Sequence, residues 1–375
     1  MRYDCIIVGA GASGLMLAAK MKVNKGLIIE GTSAAGSKLL LTGGGRCNLT
    51  HAGSIKNFIS CYGEAGKSIR KLLYKHSNIE FVDWLNELGL ETTTESDKIY
   101  PISMKASDVR DLLLARAHEN GWVIKYNAKV KDIKSYTELG NDNPAGWLVC
   151  ANENYLTDKV VIATGGITYP KTGSDGSMFE ILEKLGVELA PRKAALSSIE
   201  IKDYPYKELA GVSLSDVTVT AYNSDPMITC KGKAARITGD VLFTHTGFSG
   251  PAILNISKYA EVGEIIKLSY NRAPSELPKS LRKALEGRSK NDSGDIRNSK
   301  LAALLESDDF VISSIDKNGM VTSGGIALDE LDLSTMEIKK LPGIYAIGEA
   351  IDVDGMTGGY NLQLCYSTAS VVAEN

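Results

Sequence analysis

Near the start of the chain, apolar residues fall in short unbroken runs instead of alternating with polar ones. Tyr3-Asp-Cys-Ile-Ile-Val8 is one run, Gly26-Leu-Ile-Ile29 is another, and a helix-like stretch from Leu15 to Met21 lies between them. Runs of this length bounded by glycine read as buried strands, so residues 1–30 predict a strand–helix–strand unit. The period then changes. Between Ile69 and Leu88 the apolar residues Leu72, Leu73, Phe81, Trp84, Leu85 and Leu88 recur at three and four, which predicts helix. Ser107 reads as the N-cap of a further helix reaching about His118. Consecutive strands are expected at Trp122–Tyr126, Lys129–Ile133, Gly146–Ala151 and Lys159–Ala163, with a turn at Asn141-Asp-Asn-Pro144. Ser177 to Leu185 reads as helix.

From about Pro191 short alternating runs dominate, among them Val212–Thr220 and Gly263–Ser269. Residues 271–307 are charged, with helical pieces at Lys279–Leu285 and Lys300–Leu305 separated by a polar, loop-like stretch from Gly287 to Asp295. From about Met320 the apolar pattern of the first part returns. Gly343-Ile-Tyr-Ala-Ile-Gly-Glu349 reads as a buried strand, and Gly358-Gly-Tyr-Asn361 opens a last helix. The expected organisation is therefore a discontinuous domain of residues 1–190 and 320–375. Residues 191–319 form an inserted, β-rich domain with a short helical segment at about 275–307.

The turn after the first strand carries the chemistry. Gly9-Ala-Gly-Ala-Ser-Gly14 follows the strand at once, and Glu30 ends the second strand, roughly 20 residues on. In this pattern Gly9 permits a tight turn, Gly11 lets backbone approach a pyrophosphate, and Gly14 lets helix pack on strand. Ala12 and Ser13 begin a helix whose unpaired N–H groups attract phosphate. Glu30 can accept hydrogen bonds from ribose hydroxyls. Two later strands also end in small residues. Val160-Val-Ile-Ala-Thr-Gly-Gly166 places Ala163, Thr164 and Gly165 where backbone can come close to a flat or phosphorylated ligand. Ala346-Ile-Gly-Glu349 is followed by Asp352, Asp354 and Gly355, and carboxylates at a strand end suit a polyhydroxyl chain. Together the three segments form the pattern of FAD proteins of the glutathione-reductase type.

Composition narrows the alternatives. The chain has 375 residues and a net charge of −3, with no long basic run, so nucleic acid is not an expected partner. Nor does any apolar stretch reach the ~18 residues of a membrane span. Met1 leads directly into the first strand without a basic, cleavable leader, so a cytoplasmic protein is expected. The six cysteines are scattered without a CxxC pair, which speaks against a disulfide framework, a metal site and a redox dithiol.

Four further segments carry a resemblance. They are Lys38-Leu-Leu-Leu-Thr-Gly-Gly-Gly-Arg-Cys-Asn48, Gly166-Ile-Thr-Tyr-Pro-Lys-Thr-Gly173, Leu242-Phe-Thr-His-Thr-Gly-Phe-Ser-Gly-Pro251, and the stretch from Gly348 to Gln363. With them the chain resembles the bacterial and archaeal NAD(P)/FAD-dependent oxidoreductases of the aminoacetone-oxidase-like or BaiN-like group. The resemblance implies an α/β fold: a Rossmann-like FAD-binding domain of glutathione-reductase type, interrupted by a β-barrel-like domain and a helical segment that is reduced here. It departs at Asp97-Lys-Ile-Tyr-Pro101, where the family carries Gly-Arg before its aromatic-Pro pair. It implies that Val130 supplies backbone to adenine. Lys38, Gly44, Gly45, Arg46, Cys47 and Asn48 join the candidate cofactor shell, with Arg46 and Asn48 as donors to phosphate or flavin oxygens. Gly348, Glu349, Asp352, Gly359, Tyr360 and Asn361 complete it, the last helix directing its positive end at the ring. Cys47 reads as a small packed residue more readily than as a redox thiol. His245 is either an acid–base group or a structural histidine in a glycine turn, and no catalytic residue is assigned.

The function expected from the resemblance is an FAD-dependent oxidoreductase. It takes electrons from NAD(P)H, a possible transient co-substrate, and reduces a small organic substrate of enone or carbonyl type. A flavin amine oxidase using O2 and a non-catalytic flavin-binding regulatory protein are the alternatives. The sequence leaves the oligomeric state open.

Overall fold

The computed structural model describes residues 1–137, 144–222, 234–290 and 298–375. The chain forms two compact units, Met1–Arg192 with Val321–Asn375, and Lys193–Met320. Each has its own buried core. That of the first gathers Ile6, Ile7, Leu15, Ile28, Val161 and Ile344, and that of the second gathers Val219, Phe243, Phe248, Ile266 and Phe310. Burying one such side chain contributes about 2 kcal/mol, so both cores are substantial.

The first unit is built on a seven-stranded sheet. Its order is Leu331–Asp332, Glu337–Ile338, Ile344–Ala346, Val160–Ile162, Cys5–Val8, Gly26–Ile29, Trp122–Lys125. The last five run parallel, Ile7 lying between Val161 and Ile28. Parallel central strands are covered on both faces, which is why they read as continuous apolar runs. The helices Ala12–Lys20 and Tyr360–Ala373 belong to this unit. The second unit is a closed six-stranded barrel, in the order Ile199–Ile201, Gly247–Ser249, Ala235–Phe243, Ser213–Ala221, Ile265–Ser269 and Asp308–Ile315. Two helices, Lys279–Ser289 and Asn298–Glu306, accompany it.

Several expected elements change. The helix expected over Ile69–Leu88 is broken into Arg70–Lys75 and Asn78–Glu87. Ser77 stops it by capping the second piece: Glu80 N donates to Ser77 Oγ (3.3 Å) and Ser77 N donates to Glu80 Oε2 (2.7 Å). This reciprocal box satisfies two amides at once and outweighs apolar continuity. Ser107 lies inside its helix, which starts at Ala106. The strand expected over Lys129–Ile133 begins only at Asp132. It pairs with Pro144–Cys150, which pairs with Asn154–Thr157, a strand the pattern did not reveal. The expected turn at 141–144 falls mostly on residues outside those described. Residues 287–289, expected in a polar loop, are instead the end of the helix Lys279–Ser289.

Candidate cofactor site

Three strand ends meet in the first unit. Ala163 N donates to Val8 O (2.8 Å) and Ile347 N to Ile162 O (3.0 Å), so the ends after Val8, Ile162 and Ala346 are adjacent. A Cβ on Gly9 would lie 2.6 Å from Ala163 O, and one on Gly14 would lie 2.2 Å from Gly9 O. Both glycines are thus required by the protein's own packing. Gly11 differs. A Cβ there would meet only Ala163 O, at 3.8 Å, and its φ of −78° suits any residue. The fold gives no reason for glycine at 11, whereas a ligand approaching the backbone does.

Glu30 is buried at the end of its strand. Its Oε2 accepts from Ala10 N (2.9 Å), and its Oε1 accepts from Thr32 N (2.8 Å) and Thr32 Oγ1 (2.7 Å). Three of its roughly four acceptor positions are taken, so the acid braces the glycine turn and keeps one position for a hydroxyl. Ala128 N donates to Glu30 O (2.9 Å), bringing the Val130 segment alongside. Val130 itself is buried in the link before the strand Asp132–Thr137.

Glu349 and Lys38 form a half-buried pair. Lys38 Nζ lies 2.7 Å from Glu349 Oε2 and donates to Thr168 Oγ1 at 2.9 Å. Glu349 Oε1 also accepts from Thr322 N (2.8 Å) and Thr168 Oγ1 (3.2 Å). Thr322 Oγ1 in turn accepts from Ile167 N (2.8 Å). The carboxylate expected to meet a polyhydroxyl chain is therefore engaged by the protein. It fastens the Lys38 loop, the strand end at 165–168 and the returning strand Val321–Ile326. Thr168 falls within Gly166–Gly173, one of the segments that carry the resemblance, but nothing in the sequence marks Thr322.

The Lys38–Asn48 loop turns on Gly43, Gly44 and Gly45, all at positive φ. Arg46 is exposed, pairs with Glu95 Oε2 at 3.4 Å and lies over the Tyr100 ring. Cys47 is fully buried, and burial pushes its thiol up to about 12. With its amide oriented to suit its neighbours, Asn48 donates to Thr50 O (3.1 Å) and accepts from Gly359 N (3.2 Å). Asn361 is likewise engaged, accepting from Gly355 N (2.8 Å) and donating to Gly355 O (2.9 Å). Tyr360 stacks on His51 (5.4 Å between centroids) and meets Phe58 and Tyr62 edge-on. These residues build and orient the start of the last helix. Asp352 N donates to Ile326 O (2.9 Å), next to the same returning strand. His245, in the other unit, is exposed in the turn between Ala235–Phe243 and Gly247–Ser249.

The residues fit an elongated ligand with phosphate and hydroxyl groups. The N-cap residues of Ala12–Lys20 and Tyr360–Ala373 are both glycines, Gly11 and Gly359, so no N-cap side chain covers either helix start, and helix starts are the usual receptors of anionic oxygens. Ser174 Oγ is buried and has no hydrogen-bond partner among the described residues, and a Cβ on Gly165 would lie 2.9 Å from it. A buried hydroxyl is rarely left unpaired without a reason, and a bound group supplies one.

The fold is the Rossmann-like fold of FAD-binding flavoenzymes, with a barrel inserted. Residues 3–375 match the HI0933-like protein Rossmann domain, and the chain belongs to that family. A ribosomal RNA dihydrouridine synthase of Escherichia coli (strain K12) is 29% identical, the match covering 100% of this chain and 98% of that protein. A 3-dehydro-bile acid delta(4,6)-reductase of Clostridium scindens is 27% identical, covering 96% of each. Among solved structures, the 3-ketosteroid-delta4-(5alpha)-dehydrogenase of Rhodococcus jostii RHA1 superposes with a TM-score of 0.53 at 13% identity, over 100% of this chain and 97% of that one. That likeness concerns the fold alone. Among the described residues, no helix is long and apolar enough to cross a membrane.

Proposed function

We propose that this chain is an FAD-dependent oxidoreductase that draws electrons from NADH or NADPH and saturates a carbon–carbon double bond conjugated to a carbonyl. The observation that carries the reading is the meeting of the three strand ends beside two glycine-capped helix starts and the unpartnered Ser174 Oγ. Bound FAD would supply a two-electron carrier able to pass hydride to an electron-poor carbon. The start of Ala12–Lys20 holds the pyrophosphate, with Gly11 allowing the approach. Glu30 receives a ribose hydroxyl. The start of Tyr360–Ala373, fixed by Asn48 and Asn361, offers a positive end to developing negative charge.

The substrate class follows from what the named relatives have in common. A dihydrouridine differs from uridine by saturation of a double bond conjugated to the base's C4 carbonyl. The bile-acid enzyme's name describes reduction at the Δ4 and Δ6 positions of a 3-dehydro bile acid, double bonds conjugated with its 3-oxo group. In a reduction of this kind hydride would go to the electron-poor end of the conjugated double bond and a proton to its other carbon. The acceptor is then a free enone or a uracil base within RNA. Net charge sums the whole chain and does not exclude a nucleic acid held by one local surface.

Anaerobic titration with NADH and with NADPH, followed at the flavin absorbance, tests the proposal. Bleaching by one nucleotide, then reoxidation by an enone or a uridine-containing RNA, is expected. No bleaching with either, or peroxide formation from an amine, would overturn it.

A further inference from the structure

The helix Arg70–Lys75 turns Leu72 and Leu73 inward and leaves Arg70, Lys71, Tyr74 and Lys75 exposed. These four line one open surface hollow of about 560 Å³. Arg70 and Tyr74, like Lys71 and Lys75, are four residues apart and so are neighbours along one face. Lys67, also exposed, precedes them by one turn. Lys75 is paired with Glu374 (2.6 Å), whereas Arg70 and Lys71 have no ion pair among the described residues. Tyr74 is 50% exposed, a high value for an aromatic ring. A solvated basic face needs neither a hollow nor an exposed ring.

We propose that this hollow docks a single-stranded segment of RNA, the cations meeting phosphates and the Tyr74 ring stacking on a base. Backbone-tracking cations beside a stacking platform are the usual elements of single-strand recognition. A membrane surface fits less well, since interfacial binding requires apolar area and no aliphatic side chain lines the hollow. The position is suitable. The helix is followed by His76, whose carbonyl accepts from Gln363 Nε2 (3.0 Å) and Ser367 Oγ (2.7 Å). Those residues lie one and two turns beyond Gly359, about 6–12 Å along the last helix. RNA held at Tyr74 is thus within a few nucleotides of the candidate site. Only the catalytic purpose of the docking rests on the proposed reductase activity; the binding itself is measured separately.

The test is fluorescence polarisation of the flavin-loaded protein with a short labelled uridine-rich single strand, at several salt concentrations. Flavin bleaching by NAD(P)H is recorded in parallel. R70E/K71E is expected to weaken binding by about tenfold or more and to flatten its salt dependence. Y74A is expected to weaken binding severalfold with the salt slope kept, and Y74F to restore it. All three leave thermal unfolding and bleaching unchanged, because the side chains are exposed. Binding that is absent in the wild type, equal in the variants, or replaced by binding of phosphatidylserine vesicles would overturn the docking proposal. Patch-dependent binding without any bleaching would support docking and remove the reductase reading instead.

Discussion

Gly348 lies against Ser13. A Cβ on Gly348 would sit 2.6 Å from Ser13 Oγ, and its φ is +64°. This contact joins the end of the strand Ile344–Ala346 to the first turn of Ala12–Lys20, segments more than 300 residues apart in sequence. The site depends on that closeness.

Gly348→Ala and Gly11→Ala are therefore expected to behave differently. The first forces a left-handed alanine into Ser13 and should lower stability by about 1–3 kcal/mol. The second meets no close protein atom and should leave stability within about 0.5 kcal/mol. G11A should nonetheless weaken FAD about tenfold or more, about 1.4 kcal/mol. Denaturant unfolding and FAD titration of both variants separate the effects.

Lys38 and Glu349 should prove coupled. Lys38→Met leaves a half-buried carboxylate with fewer donors and is expected to destabilise by about 1–3 kcal/mol. Because Thr168 and Thr322 share the network, the Lys38→Met/Glu349→Gln double variant should lose less than the sum of the singles. A double-mutant cycle in urea measures the difference.

Cys47 is expected to be chemically silent. Its folded pKa is raised by burial, from 9.0 to about 12, so at pH 8 it is a protonated thiol. A thiol reagent should label it only after unfolding, and C47A should keep flavin reduction intact. The sign of the linkage follows. The raised pKa supports the folded state below pH 9, and that support is lost as pH rises from about 9 towards 12.

His76 gives the opposite pH dependence. It is buried, its Nε2 lacks a hydrogen bond among the described residues, and burial lowers its pKa from 6.5 despite Glu374. A lowered folded pKa means support present above pH 6.5 and lost as pH falls through the folded value. Stability measured from pH 7 downwards should decline, and His76→Gln should make that decline shallower.

Much of this was legible in the sequence. The apolar runs mark all five parallel strands; Cys5–Val8, Gly26–Ile29 and Val160–Ile162 are buried on both faces, whereas Trp122–Lys125 at the sheet edge leaves Val123 exposed. The fingerprint and Glu30 lie at short range, where spacing alone is informative. The break at Ser77 was harder to see, because a capping box competes with periodicity only through the pair Ser77 and Glu80. Glu349 was read as a ligand group because its pairing with Lys38, Thr168 and Thr322 bridges distant segments. Asn48 reads as a donor to the cofactor, and Asn361 as part of the cofactor shell, for the same reason. Their partners, Gly359 and Gly355, appear only once the last helix is in place. Short polar side chains at a glycine-rich turn suit a ligand and a backbone clamp equally well.

The most direct measurement is FAD binding by the purified, unfolded-and-refolded or freshly prepared protein, read from the flavin spectrum and from isothermal titration. One FAD per chain, bound by the wild type and lost in the stably folded G11A variant, is the predicted result. A wild-type protein that folds yet takes up no FAD would contradict the account.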